Sequence, residues 1–246
     1  MYKGAGSPQY GAYRRVNDIS GRRDRGYGEW WNSDPVEVED EAKLSGGLPN
    51  VSHAFTVNGQ PGDLYNCSSS GTTNFSVEQG KTYLLRLVNA TVNNHLFFKI
   101  ASHNLTVVAV DASYTKPYTT DILILSSGQT TDILLTVNQA QAKYSMAAKV
   151  YTTMPETNFN TTTTAILSYV GSNSSATPIF PELPLYNDTA TVATFTRALR
   201  SLASKDHPVD VPKSISDSSI IAVGLAALVK RAVIVVGLTI PDSLPV

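Results

Sequence analysis

Thr82-Tyr83-Leu84-Leu85-Arg86-Leu87-Val88-Asn89 is the stretch from which the fold is read. Successive side chains of a strand point to opposite faces. Tyr83, Leu85 and Leu87 therefore share one face, and Thr82, Leu84, Arg86 and Val88 the other. Both faces are largely apolar, which predicts a central strand covered on both sides, with Arg86 needing a partner at the rim. Similar runs rich in Val, Ile, Leu, Thr and aromatics lie at 54–57, 73–77, 96–101, 105–111, 121–125, 132–137, 144–151 and 165–170. Turn formers separate them: Asn58-Gly59, Gln79-Gly80, Asn93-Asn94 and Ser127-Gly128. Many short strands at short intervals predict an all-β, antiparallel Greek-key sandwich or barrel over residues 27–170.

The flanks read differently. Residues 1–26 are rich in Gly, Arg and Tyr without periodicity and read as a disordered leader, its Arg14-Arg15, Arg22-Arg23 and Arg25 forming a basic tail. Asp34-Pro35 opens a short helix to about residue 44, with Asp34 as cap, Pro35 in the first turn and Gly46-Gly47 as stop. Glu37, Glu39, Asp40 and Glu41 spread around that helix, which suits a solvated face better than a metal site. Pro178, Pro181 and Pro184 suggest an extended linker over 171–212. A helix at 191–203 within it carries a stripe of Val192, Phe195, Leu199 and Leu202. Residues 213–246 form an apolar tail. Lys230-Arg231 interrupts its 220–238 run, which argues against a membrane span and for stray strands with exposed edges.

Composition narrows the class. Hydrophobic residues make up 42% and charged residues 16% of 246 residues, with a net charge of -1. That supports a real core and gives no basis for nucleic-acid binding. Asn-x-Ser/Thr sequons stand at Asn50, Asn66, Asn74, Asn89, Asn104, Asn160, Asn173 and Asn187, against roughly three expected by chance. The cluster points to secretion and N-glycosylation. The start, Met1 to Pro8, contains no apolar stretch that could serve as a signal peptide. Cys67 is the only cysteine. On general grounds it is either half of a disulfide with a partner elsewhere or a buried thiol.

Gly28-Glu29-Trp30-Trp31-Asn32 and the run Ala54-Phe-Thr-Val-Asn-Gly-Gln-Pro-Gly-Asp-Leu-Tyr-Asn-Cys67 resemble the middle, cupredoxin-like domain of plant laccases, multicopper oxidases of the cell wall. The likeness extends over about residues 27–212. It implies secretion to the apoplast, and the oxidation of phenols and monolignols with reduction of oxygen to water. It also implies copper in the intact enzyme, and first and third cupredoxin domains as partners. By the same resemblance, Cys67 pairs in a disulfide with a neighbouring domain. Glu29 lies near the substrate pocket, where a carboxylate could accept a phenol's proton. The alternative for Glu29 is a strand-end carboxylate bonded to nearby backbone.

The copper ligands of that family are missing here. The chain has no His-x-His and no His-Cys-His sequence. Its donors are His53, His95, His103, His207, Cys67, Met1, Met146 and Met154, and no histidine follows Cys67 at cupredoxin spacing. Each histidine is better explained singly, so no catalytic or metal-binding residue is assigned and the chain is expected to bind no cofactor alone. Catalytic triads, phosphate loops and Cys-x-x-Cys are absent as well. The reading is a laccase-like domain that is inactive by itself. The alternative is a non-enzymatic secreted glycoprotein, binding module or truncated gene product.

Overall fold

The computed structural model describes residues 14–15, 26–47, 50–65, 71–153, 162–206, 208, 212–214, 220–228 and 231–239. The strands in chain order begin with β1 (Arg14–Arg15), β2 (Tyr27–Trp30), β3 (Ala54–Val57) and β4 (Asn74–Val77). They continue with β5 (Thr82–Val88), β6 (His95–Ile100), β7 (Leu105–Val110) and β8 (Ser113–Thr120). Then come β9 (Leu123–Leu125), β10 (Thr130–Thr136), β11 (Lys143–Tyr151) and β12 (Thr162–Tyr169). One sheet runs β1-β5-β10-β7-β8, the other β4-β12-β11-β6-β9, and β2 pairs with β3 in a separate ribbon. The all-β expectation holds.

Alternation explains how the two sheets share a core. Tyr83, Leu85 and Leu87 of β5 are buried, together with Leu105 and Val107 of β7 and Ile133 and Leu135 of β10. From the other sheet come Leu96, Phe98, Met146, Val150, Leu167 and Tyr169. Arg86 finds its rim partner in Asp132, directly across the β5–β10 ladder, at 3.6 Å. Two pairings depart from the antiparallel pattern: β1 lies parallel to β5, and β4 parallel to β12. Local alternation carries no signal for either, because both join segments remote in sequence.

Turn chemistry fixes the register. Asn58 and Gly59 both adopt positive φ, 52° and 80°. They form a two-residue turn in which Val57 and Gln60 exchange backbone bonds of 2.8 and 3.0 Å. The strand β8 was not foreseen. Its sequence, Ser-Tyr-Thr-Lys-Pro-Tyr-Thr-Thr, is polar and contains Pro117, which belongs on a sheet edge. The β7–β8 register shifts between Val107 and Ala109, and the Lys116 N–H bonds outward to the Arg200 carbonyl at 2.9 Å.

That bond belongs to a segment expected to be a free linker. Residues 53–202 form one compact unit with residues up to Trp30, so 171–202 is part of the sandwich. Ile179 pairs beside Tyr144 through Ile179 N–H to Lys143 O (2.9 Å) and Ser145 N–H to Ile179 O (2.8 Å). Thr152 N–H bonds Tyr186 O at 2.8 Å. The helix α2 (Thr189–Ala198) starts at Asp188, whose carboxylate accepts from the Thr191 backbone N–H and hydroxyl. Of the expected stripe, Phe195 is buried, Val192 and Leu199 are partly buried against the core, and Leu202 is exposed. Phe195 meets Tyr118 of β8 at 6.0 Å while α2 lies against β9. The helix thus closes the side where those two sheet edges meet. Leu202 N–H to Tyr114 O continues the strap along β8.

Residues 31–52 and 203–246 form a second compact unit. Its helix α1 (Pro35–Ser45) ends one residue later than expected. The Asp34 carboxylate accepts from Val36 N–H, and Gly46 turns left-handed at φ 72°. Lys43 pairs with Glu39 and Asp40 on the solvated face. The apolar tail contains an antiparallel hairpin of β13 (Ile220–Leu228) and β14 (Arg231–Thr239). Arg231 is the first residue of β14, paired with Leu228, and Lys230 lies outside the described residues. No helix among the described residues is long and apolar enough to cross a membrane.

Candidate functional site

Glu29 is positioned by β2. The ladder sets Glu29 opposite Phe55 and Trp30 opposite Ala54, and His53 N–H closes onto Trp30 O at 2.8 Å. Tyr27 and Glu29 lie on the same face, two residues apart. Tyr27 is fully buried against Phe98 at 5.5 Å, and burial raises its phenol pKa well above the usual value. Glu29, nearer the strand end, leaves the core where residues 91–94 turn.

There the carboxylate is engaged. Asn94 Nδ2 donates to Glu29 Oε1, and Val92 N–H donates to Oε2 at 3.4 Å. Behind this turn stands Asn89, fully buried. Its Nδ2 donates to Asn94 O (2.8 Å) and Leu125 O (2.9 Å). Its Oδ1 accepts from the Thr91 N–H (3.1 Å) and hydroxyl (2.8 Å). The Asn89 backbone holds the Ser126–Gln129 turn through Gly128 N–H to Asn89 O and Asn89 N–H to Gln129 O. Every polar group of Asn89 is thus used to join the 91–94 turn, the end of β9 and the 126–129 turn at the Glu29 end of the sandwich.

A model of the multicopper oxidase family matches residues 26–172. The chain belongs to the multicopper oxidase family. It is 50% identical over 199 residues to Laccase-12 of Arabidopsis thaliana, covering 80% of this chain and 34% of that protein. It is 47% identical over 204 residues to Laccase-3 of Oryza sativa subsp. japonica, covering 80% of this chain and 35% of that one. The chain therefore spans about a third of the length of these relatives. Among solved structures, the laccase from Botrytis aclada superposes with a TM-score of 0.62 at 23% identity, over 85% of this chain and 38% of that one. That likeness establishes the cupredoxin-like fold.

Copper in this family raises the question of which donors here could hold it. They do not fit. His103 is buried with both ring nitrogens committed, Nδ1 to Ala101 O at 2.6 Å and Nε2 to the Tyr169 hydroxyl at 2.7 Å. Burial lowers its pKa, an effect the Ala101 bond partly offsets. Met146 lies in the core. His53 and His95 are exposed. Among the described residues no three His, Cys, Asp or Glu side chains converge on a point that could hold a metal. His207, Cys67 and Met154 lie outside the described residues.

The sequons divide in the same way. Asn50, Asn74, Asn104, Asn173 and Asn187 are exposed, while Asn66 and Asn160 lie outside the described residues. Asn89 differs from these, being fully buried. A glycan would replace an Nδ2 hydrogen that is already bonded, at a position with no exposed surface. The motif alone could not reveal this, because the same three residues serve as an acceptor on a surface loop and as a hub when buried.

Proposed function

We propose that this chain supplies the copper-free middle domain of a secreted laccase, a wall and spacer for the oxidation of phenols and monolignols by oxygen. The observation that carries this reading is the half-identity to plant laccases over four-fifths of this chain, joined to a sequence without His-x-His or His-Cys-His. First and third cupredoxin domains, elsewhere in the parent polypeptide or on a second chain, would bring copper and oxygen reduction. Cys67 would form the disulfide to one of them, outside cells in the apoplast. The exposed sequons would carry the glycans.

Glu29 has two roles in this reading. As a positioned residue it fixes the 91–94 turn through Asn94 and Val92. As a pocket residue it would take a phenolic proton when the electron leaves toward a neighbouring domain's copper. These bonds hold the carboxylate beside the 91–94 turn rather than in the core.

Metal analysis of the purified chain, together with oxygen uptake in the presence of a phenol, tests the proposal. No stoichiometric copper and no uptake are expected. Adding separately expressed copper-bearing first and third laccase domains is expected to produce phenol-dependent uptake. Copper bound one per chain would overturn the copper-free assignment. Failure to complement would leave a non-enzymatic glycoprotein as the better reading.

A further inference from the structure

His103 has no part in the proposed function, yet it is a titratable group buried inside the sandwich. Ala101 O can only accept, so Nδ1 carries the ring proton and Nε2 receives the hydrogen of the Tyr169 hydroxyl. Tyr144 stands edge-on to the imidazole at 4.8 Å and 88°, and the Tyr144 and Tyr169 rings lie 5.3 Å apart. Gln139 N–H donates to the Tyr169 oxygen at 3.1 Å, and Tyr144 donates to Ala140 O at 2.8 Å. Both phenols therefore end beneath the loop 138–141, whose Asn138, Ala140 and Gln141 are exposed.

We propose that Tyr169 and His103 form a proton-coupled redox pair, serving strong one-electron oxidants that reach the 138–141 loop. Tyr169 gives up one electron, which reduces the oxidant by one equivalent. Its O–H bond breaks and an N–H bond forms at His103 Nε2. The products are a neutral tyrosyl radical and an imidazolium, whose Nδ1–H keeps its bond to Ala101 O. A one-electron donor such as a small phenol reverses the step: the electron returns to Tyr169, the proton returns from Nε2 to the Tyr169 oxygen, and the donor becomes a phenoxyl radical as its own proton passes to solvent.

The geometry favours Tyr169 over its neighbour. Losing an electron without losing a proton would leave a cation in an apolar interior, which is costly. A base already at hydrogen-bond distance lowers that cost, because the charge then rests on an imidazolium rather than on a strongly acidic phenol radical cation. The Tyr144 hydroxyl faces only a backbone carbonyl, which takes no proton. Burial keeps both partners in the starting state, raising the Tyr169 phenol and lowering the His103 imidazole. This inference does not depend on the laccase reading, since its oxidant needs no copper.

Flash oxidation of the purified chain by photogenerated ruthenium(III) tris-bipyridine, followed by transient absorption and electron paramagnetic resonance, tests it. The wild type is expected to give a tyrosyl radical whose formation slows in deuterated buffer. Tyr169→Phe is expected to abolish that signal although eleven of the twelve tyrosines remain, while Tyr144→Phe leaves it. His103→Gln keeps a hydrogen-bond acceptor without a base and is expected to slow formation by about a hundredfold. A radical that survives Tyr169→Phe, or is equally fast in His103→Gln, overturns the pair. If either variant fails to fold, the wild-type isotope effect decides: its absence overturns the proposal too.

Discussion

The Thr164 hydroxyl and Asp63 bond each other twice across 101 residues of chain: Thr164 donates to Asp63 Oδ1 at 2.5 Å and accepts from Asp63 N–H at 3.1 Å. The contact locks the loop after β3 onto the second sheet, and Thr163 adds a bond to Pro61 O. It requires the backbone between them to come very close. At Gly62, φ is 91°, and a Cβ would stand 2.2 Å from Thr164 Oγ1 and 2.6 Å from the Thr164 backbone.

Gly62→Ala is therefore expected to destabilise the sandwich by about 2–4 kcal/mol, combining left-handed strain with a backbone clash. Gly80 shares the positive φ, 81°, but has open space where a Cβ would go. Gly80→Ala should cost about 1 kcal/mol, the strain alone. Urea denaturation of both variants separates the terms. Equal losses would show that the close approach to Thr164 contributes nothing.

Secreted from a eukaryotic host, the chain should carry glycans at exposed sequons such as Asn74, Asn104 and Asn187, and none at Asn89. Glycopeptide mass spectrometry reads the occupancy directly. Asn89→Ala should cost about 3 kcal/mol, because it removes the side-chain partners of the Leu125 carbonyl and the Thr91 N–H and one of the donors to the Asn94 carbonyl. A glycan found on Asn89 in folded, secreted material would refute the hub.

His103 makes stability depend on pH. Its folded pKa lies below the unfolded value of about 6.5, so the unfolded chain binds more protons as pH falls. The groups facing the ring are Tyr144 and Tyr169, both uncharged there. Stability attributable to His103 is complete above about pH 6.5 and declines below it, with a slope that one proton limits to about 1.4 kcal/mol per pH unit. Denaturation midpoints between pH 7 and pH 5 check this against His103→Gln, in which that component should vanish.

Phe195→Ala should cost about 3–4 kcal/mol, the usual loss for a buried phenylalanine, and should loosen the 171–202 strap. Hydrogen exchange at Ile179 and Lys116, whose N–H groups bond within or to that strap, reports the loosening. Unchanged stability would mean that the segment is the free linker its sequence suggests.

How far the sequence could be read follows from which interactions are local. The alternation in 82–88, the Asn58-Gly59 turn and the Asp34-Pro35 helix start depend on neighbouring residues, and all appear where expected. The edge strand β8 was hidden because Pro117 and Lys116 suit an edge but not a strand pattern. The strap was hidden because its attachment is mostly backbone to backbone, with few buried side chains besides Phe195 and Pro181. Glu29 was legible as a strand-end carboxylate, but its partner Asn94 is 65 residues away. The hub at Asn89 looked like one more sequon, since burial is a property of the fold and not of three letters.

The strap has a consequence for synthesis. Domains generally fold as units as they leave the ribosome, yet here β8 and β9 stay uncovered until Phe195 and the residues around Leu202 have been made. The β4 strand, too, waits for β12, more than eighty residues downstream. For most of its translation the sandwich is an unfinished pair of sheets with open edges, the state in which strands from two nascent chains can join. Chaperone cover during that interval, rather than the final stability of the domain, would set how much of this protein is recovered folded.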